Sequence, residues 1–203
     1  MSDVKVKICG IRTYEAAVAA IDAGADFLGF NFAPTSKRFI APLDALSIIQ
    51  KIRSRSESVR IVGVFENQSV EEVNTIVQSL RLDFVQLHGQ EKGEYLQKIV
   101  CPIIKRVLPS DEKVALYQLP VRHFLLDREI QGLGNRIDMQ TAKNFTKSLS
   151  LFLAGGLTPE NVSETVVLVR PFAVDVASGI ETNGKEDIRK IRLFIQNAKG
   201  VVI

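Results

Sequence analysis

The 203-residue chain sets 26 lysines and arginines against 23 aspartates and glutamates, a formal net charge of +3, with 46% hydrophobic and 24% charged residues. That is enough apolar material for a full core in one domain, while the densest basic stretch, KIRSRS at Lys51 to Ser56, is too slight for a nucleic-acid surface. No run approaches the ~18 apolar residues of a membrane span, and the start lacks the basic-then-apolar pattern of a secretion signal, so a cytoplasmic protein without nucleic-acid or membrane partners is expected.

In chain order, short β-rich runs occur at VKVKICG from Val4, DFLGFNF from Asp26, RIVGVFE from Arg60, DFVQLHG from Asp83, CPIIKRVLP from Cys101, RHFLLD from Arg122, LFLAGG from Leu151 and FAVDVASG from Phe172. Between and after them lie segments with helical spacing: TYEAAVAAIDAG, PLDALSIIQKIRS, SVEEVNTIVQSL, KGEYLQKIV, a weaker SDEKVALYQL, MQTAKNFTKSL, TPENVSETVVLV and KEDIRKIRLFIQNA. Ser69 with Glu72 fits a capping box, Pro42 and Pro159 fit first-turn positions, and Gly24 fits a helix stop. Strands apolar on both faces and separated by helices are parallel strands covered by helices. Eight such units across residues 1–203 predict a single-domain (β/α)8 barrel, with an open doubly wound sheet as the rival.

A barrel gathers chemistry at the C-terminal ends of its strands. Those positions hold Cys9, Asn31, Glu66, His88, Asp127, Gly155 with Gly156, and Asp175 with Ser178 and Gly179. The turns in LAGGLTPENV and DVASGIE follow strands seven and eight, where backbone N–H groups at helix starts favour an anion and where such barrels place phosphate. The plainer reading of the same glycines is tight turns. Cys9 alone reads as a small buried hydrophobe as readily as an acid or base, and Asp127 alone as a turn or cap residue. Cys9 and Cys101 have neither metal-ligand nor disulfide spacing and read as reduced thiols, Cys101 as packing. With only two histidines, and His123 inside a strand, there is no evident metal cluster.

KICG, GFNFAPTSKRFI, VGVFEN, VQLHG, FLLD, AGGLTPENV and RPFAVDVASGIE, in this order along nearly the whole chain, resemble the phosphoribosylanthranilate isomerase family. The resemblance implies a (β/α)8 fold and, in tryptophan biosynthesis, an Amadori rearrangement of N-(5-phosphoribosyl)anthranilate to 1-(o-carboxyphenylamino)-1-deoxyribulose 5-phosphate. It implies no cofactor and no metal, with a small phosphosugar–anthranilate substrate as the partner. It places the general base on Cys9, the general acid on Asp127 and the anthranilate carboxylate on Arg38. His88, Gly155, Gly156, Asp175, Ser178 and Gly179 complete the expected substrate-binding set. His88 either lines the pocket or bonds its own loop, and Asp175 either meets a ribose hydroxyl or supports the last turn.

The roles make opposite demands. A thiol of ordinary acidity, ~8.5, needs a lowered value or a substrate-induced proton loss to act as base, and Asp127 needs burial or a nearby negative charge to stay protonated. Lys7 shares the face of Cys9 but lies one layer deeper, so the sequence offers no visible activator for the thiol. One stretch departs from the family pattern: QGLGNRIDM, Gln131 to Met139, keeps Gly132, Gly134 and Asp138 but has Gln131, Leu133, Ile137 and Met139 where glycine, a hydroxyl residue and two aromatics are common. Ala177 likewise stands where a second serine is common. Those changes leave open a related phosphosugar isomerase or epimerase with altered substrate range, and a non-catalytic phosphate-ligand barrel. Whether the chain is a monomer or a homodimer is not encoded in any readable pattern.

Overall fold

Alternation of side chains along each strand sorts this molecule into two cores. In the computed structural model, which describes residues 4–111, 120–127 and 137–201, eight parallel strands close on themselves. They are β1 (Lys5–Cys9), β2 (Phe27–Asn31), β3 (Arg60–Phe65), β4 (Phe84–Leu87), β5 (Ile103–Val107), β6 (His123–Leu126), β7 (Leu151–Leu153) and β8 (Ala173–Val176). β1 pairs with both β2 and β8, which closes the barrel and excludes the open sheet. The covering helices are α1 (Tyr14–Asp22), α2 (Pro42–Arg55), α3 (Val70–Leu80), α4 (Glu94–Gln97), α5 (Met139–Thr146), α6 (Val162–Val169) and α7 (Ile188–Lys199).

Outward residues such as Val6, Ile8, Leu28, Phe30, Ile61 and Phe65 pack under helix residues that include Ala16, Ala20, Ile49, Ile52, Val77 and Phe194. Each fully buried Leu, Ile or Phe there contributes about 1.5–3 kcal/mol of transfer free energy. Inward residues form a separate cluster, with Phe27, Phe84, Phe152, Val62, Ile104 and Leu125 filling the lower barrel. Phe27 meets Phe152 edge-on at 5.1 Å between centroids, and His123 stacks on Phe172 at 4.7 Å. These rings plug the floor, so whatever opens at the top is a pocket and not a channel.

Helix boundaries follow their caps. Thr13 accepts from the Ala16 N–H, Asp138 from Thr141, and Asp187 from Arg189 and Lys190. Pro42 begins α2, and Gly24, at φ +95°, ends the turn after α1. Ser69 caps α3 through the Glu72 N–H, but the Glu72 carboxylate accepts from the Gln68 side chain, so the second half of the expected box is replaced. Three boundaries differ from expectation. KGEYLQKIV yields only the four-residue α4, with Leu96 its sole buried residue. Pro159 opens a turn in which the Asn161 and Val162 N–H groups both reach the Thr158 carbonyl, and the regular helix starts at Val162. The last helix starts at Ile188, because the preceding residues form an antiparallel hairpin, β9 (Glu181–Thr182) and β10 (Lys185–Glu186). Its turn is Asn183–Gly184, both at positive φ (52° and 73°), the Asn-Gly pair that tight hairpins favour. The weak helix expected at SDEKVALYQL lies largely outside the described residues, as do Gln131 to Arg136.

Candidate active site

The last inward position of each strand lies at the rim of one cavity of about 770 Å³ at the C-terminal end of the barrel. Cys9, Arg38, His88, Asp127, Gly155, Gly156, Asp175 and Ser178 all line it. Of the expected site residues Gly179 alone is outside this lining. A Cβ there would run into the Leu157 carbonyl, so this glycine lets the turn after β8 lie against the turn after β7.

Cys9 ends β1 and is 9% exposed, and Asp127 follows β6 at 7%. With β7 and β8 between their strands, they face the same space from different sides. His88 Nε2 stands 3.6 Å from Asp127 Oδ2, and Gln86 Nε2 lies 3.3 Å from His88 Nδ1, so His88 takes the pocket-lining place. Asp175 lines the cavity and accepts from Lys7 Nζ on β1 at 2.9 Å. Burial pushes the Asp175 carboxyl up, Lys7 opposes the rise, and the Asp127 charge adds to it.

Lys7 is the residue that strand alternation undervalued. It is fully buried, in register with Asp175 on β8, and its ammonium reaches up to the thiol of Cys9. Gly29, in register with Cys9 on β2, leaves the room: a Cβ there would lie 2.8 Å from Cys9 Sγ and 3.2 Å from Lys7 Nζ. Burial raises the Cys9 thiol above its ordinary value, and Lys7 is the largest influence against that rise.

Arg38 reaches the cavity from the segment between β2 and α2, its side chain packed on Gly10, which sits at φ +84°. Glu181 of β9 grips one edge of its guanidinium, Nε to Oε1 at 2.8 Å and Nη2 to Oε2 at 2.7 Å. Arg12 fixes the hairpin in turn, donating to the Gly184 carbonyl at 2.7 Å and to Glu186 at 3.1 Å. The sequence signal for this brace was the Asn-Gly turn.

At the opposite rim, Gly155 and Gly156 adopt φ +86° and +83°. Asn161, 4% exposed, holds that turn by donating to the Gly156 carbonyl and accepting from the Thr158 N–H. The N–H groups of Gly155, Gly156 and Ser178 have no acceptor among the described residues. In the divergent stretch, Ile137 is buried with Phe124, Phe145 and Leu151, and Asp138 caps α5. Among the described residues no cluster of three or more His, Cys, Asp or Glu side chains is placed to hold a metal ion, and no helix is long and apolar enough to cross a membrane.

Residues 6–197 match the family described as N-(5'phosphoribosyl)anthranilate (PRA) isomerase. The N-(5'-phosphoribosyl)anthranilate isomerase of Thermotoga maritima is 42% identical over 207 residues, covering 98% of this chain and 100% of its own. The crystal structure of phosphoribosyl anthranilate isomerase from Thermotoga maritima superposes with a TM-score of 0.88 at 41% identity, over 98% of this chain and 100% of that one. A crystal structure of phosphoribosyl anthranilate isomerase in complex with reduced 1-(o-carboxyphenylamino)-1-deoxyribulose 5-phosphate gives 0.86 at 40% identity, with the same coverage. With the barrel closed, the rim residues gathered around one cavity and the likeness spanning the full length, the chain belongs to the phosphoribosylanthranilate isomerase family, the aldose–ketose isomerases of tryptophan biosynthesis.

Proposed function

We propose that the protein converts N-(5-phosphoribosyl)anthranilate to 1-(o-carboxyphenylamino)-1-deoxyribulose 5-phosphate with Asp127 as general acid and Cys9 as general base. The observation that carries the assignment is the placement of these two buried proton-transfer groups at different strand ends around one cavity. Asp127 gives its proton to the furanose oxygen as the C1–O bond breaks, and the nitrogen lone pair forms the C1=N iminium. The C2–H bond then breaks, its proton passing to Cys9 Sγ and its electron pair forming C1=C2 as the iminium nitrogen regains its lone pair. The resulting enolamine tautomerises to the ketone. Because burial raises the thiol, the thiolate is the minor form at neutral pH but correspondingly the stronger base.

The ends of the substrate are held apart. Arg38 offers the anthranilate carboxylate Nη1 and the second Nη2 hydrogen, since Glu181 occupies only its Nε edge. The phosphate takes the N–H groups of Gly155, Gly156 and Ser178, with Gly179 allowing the two turns to converge. His88 and Asp175 flank the ribose between them. Spanning the cavity in this way fixes C2 near the thiol and the ring oxygen near Asp127, which is the positioning such a two-group reaction requires.

Steady-state turnover of freshly generated phosphoribosylanthranilate tests the reading. Wild type is expected to turn over, while Cys9→Ala and Asp127→Asn each lose at least ~100-fold in kcat with the fold retained. A folded Cys9→Ala or Asp127→Asn with wild-type kcat removes that residue from its role.

A further inference from the structure

We propose that Lys7 is a positioning residue for the general base: its buried ammonium, anchored by Asp175, lies against Cys9 Sγ and supports the thiolate that takes the C2 proton. The inference rests on the reading of Cys9 as base and adds the group that makes that base usable.

A lysine on the inward face of a barrel strand, with no exposed surface, gives up its hydration entirely. Its partner on β8, Asp175, compensates through one hydrogen bond of 2.9 Å. An ammonium carries three donors, and water does not reach the other two. A buried pair of this kind adds little over apolar side chains of the same volume, so stability does not account for charges in this layer when the floor below is aromatic. The thiol does account for them. Cys9 stands two residues farther along the same face, and Gly29 omits the one side chain that would separate Sγ from Nζ. Asp175 fixes Lys7 from the side strand, so the ammonium cannot withdraw toward the floor.

The charged groups around Cys9 act in both directions. Lys7 from its own strand and Arg38 from the segment after β2 favour thiolate, whereas Asp175 from β8 disfavours it. Lys7 is the largest of the three, so its neutralisation leaves burial opposed mainly by Arg38. The substrate phosphate adds a further negative charge to the cavity, which makes a cation fixed beneath the thiol more necessary during turnover than before it.

The test reads the thiol directly. In a Cys101→Ala background, the pH dependence of Cys9 alkylation by iodoacetamide is measured alongside the pH profile of kcat/KM for wild type, Lys7→Met and Lys7→Gln. The glutamine variant retains an amide donor for Asp175 without the charge, and it serves if methionine prevents folding. We expect the alkylation midpoint to rise by about one unit or more in either folded variant, and kcat/KM at neutral pH to fall about tenfold or more and recover as pH rises. Lys7→Arg, which restores a cation, is expected to recover part of the shift. An unmoved midpoint in a folded Lys7→Met or Lys7→Gln overturns the proposal, even if activity falls, because a purely structural lysine would alter activity without moving the thiol. Retained turnover by Cys9→Ala would instead remove the base assignment, a result separate from the alkylation midpoint.

Discussion

His123 sits in the barrel floor, 6% exposed, stacked on Phe172 and edge-on to Phe152, with Nδ1 2.7 Å from Ser150 Oγ. Burial, aided by the Arg122 charge, lowers its pKa from 6.5 to about 4. The unfolded chain takes up a proton as pH falls through 6.5, but the folded protein refuses it until about 4. Stability is therefore full above 6.5 and is lost as pH falls across that window. Between pH 7 and pH 5 the loss from this one group is about 2 kcal/mol, or roughly 4–8 °C in Tm for a domain of this size. Carboxylates also titrate in this range, so the quantity to measure is the difference between wild type and His123→Phe. Phenylalanine keeps the stack, and Ser150, being exposed, hydrates its hydroxyl when the histidine is gone. Tm by circular dichroism at pH 7 and pH 5 is expected to fall about 4–8 °C further in wild type than in the variant. Equal losses in the two proteins would refute the assignment of a neutral, dehydrated imidazole to the floor.

Removal of the guanidinium in Arg38→Ala is expected to raise KM by roughly 10- to 100-fold with a smaller change in kcat, the scale of a charge-assisted bidentate contact. Glu181→Gln loosens the brace without removing the arginine, so steady-state kinetics are expected to show a smaller KM increase in the same direction. Gly10→Ala forces a side chain into φ +84° and its Cβ into Arg38 Cδ, and is expected to combine a backbone cost of about 1–2 kcal/mol in thermal unfolding with a rise in KM. An Arg38→Ala protein with unchanged KM would dismiss the carboxylate contact, and with it the interpretation of the other two variants.

Most of the fold was legible because a parallel barrel writes itself in local patterns: apolar strand, cap, amphipathic helix, repeated. KGEYLQKIV misled because its apolar spacing continues past Gln97, where Ile99 serves the core without extending the helix. The hairpin after β8 has its signal in Asn183–Gly184, but its second strand, Lys185–Glu186, opens the charged segment KEDIRKIRLFIQNA that reads as a helix. At the site, period-two alternation correctly put Lys7 inward with Cys9. What it could not supply is the reach of a four-carbon side chain, the register that sets Asp175 beside Lys7, or the space left by Gly29 on a third strand. The grip of Glu181 on Arg38 spans 143 residues and has no local signature at all.

The Lys7–Asp175 pair marks a boundary along the barrel axis. Below it, Phe27, Phe84, His123, Phe152 and Phe172 interlock as an aromatic floor; above it, the inward groups that meet the cavity come from the ends of the strands and the loops that follow them. Sequence change is thereby partitioned. Rim loops can change without disturbing the plug that keeps the strands closed. The floor can be repacked for thermal tolerance without moving a proton donor. The buried lysine of β1 joins the two halves, anchored to Asp175 above the floor and set beneath Cys9 at the rim.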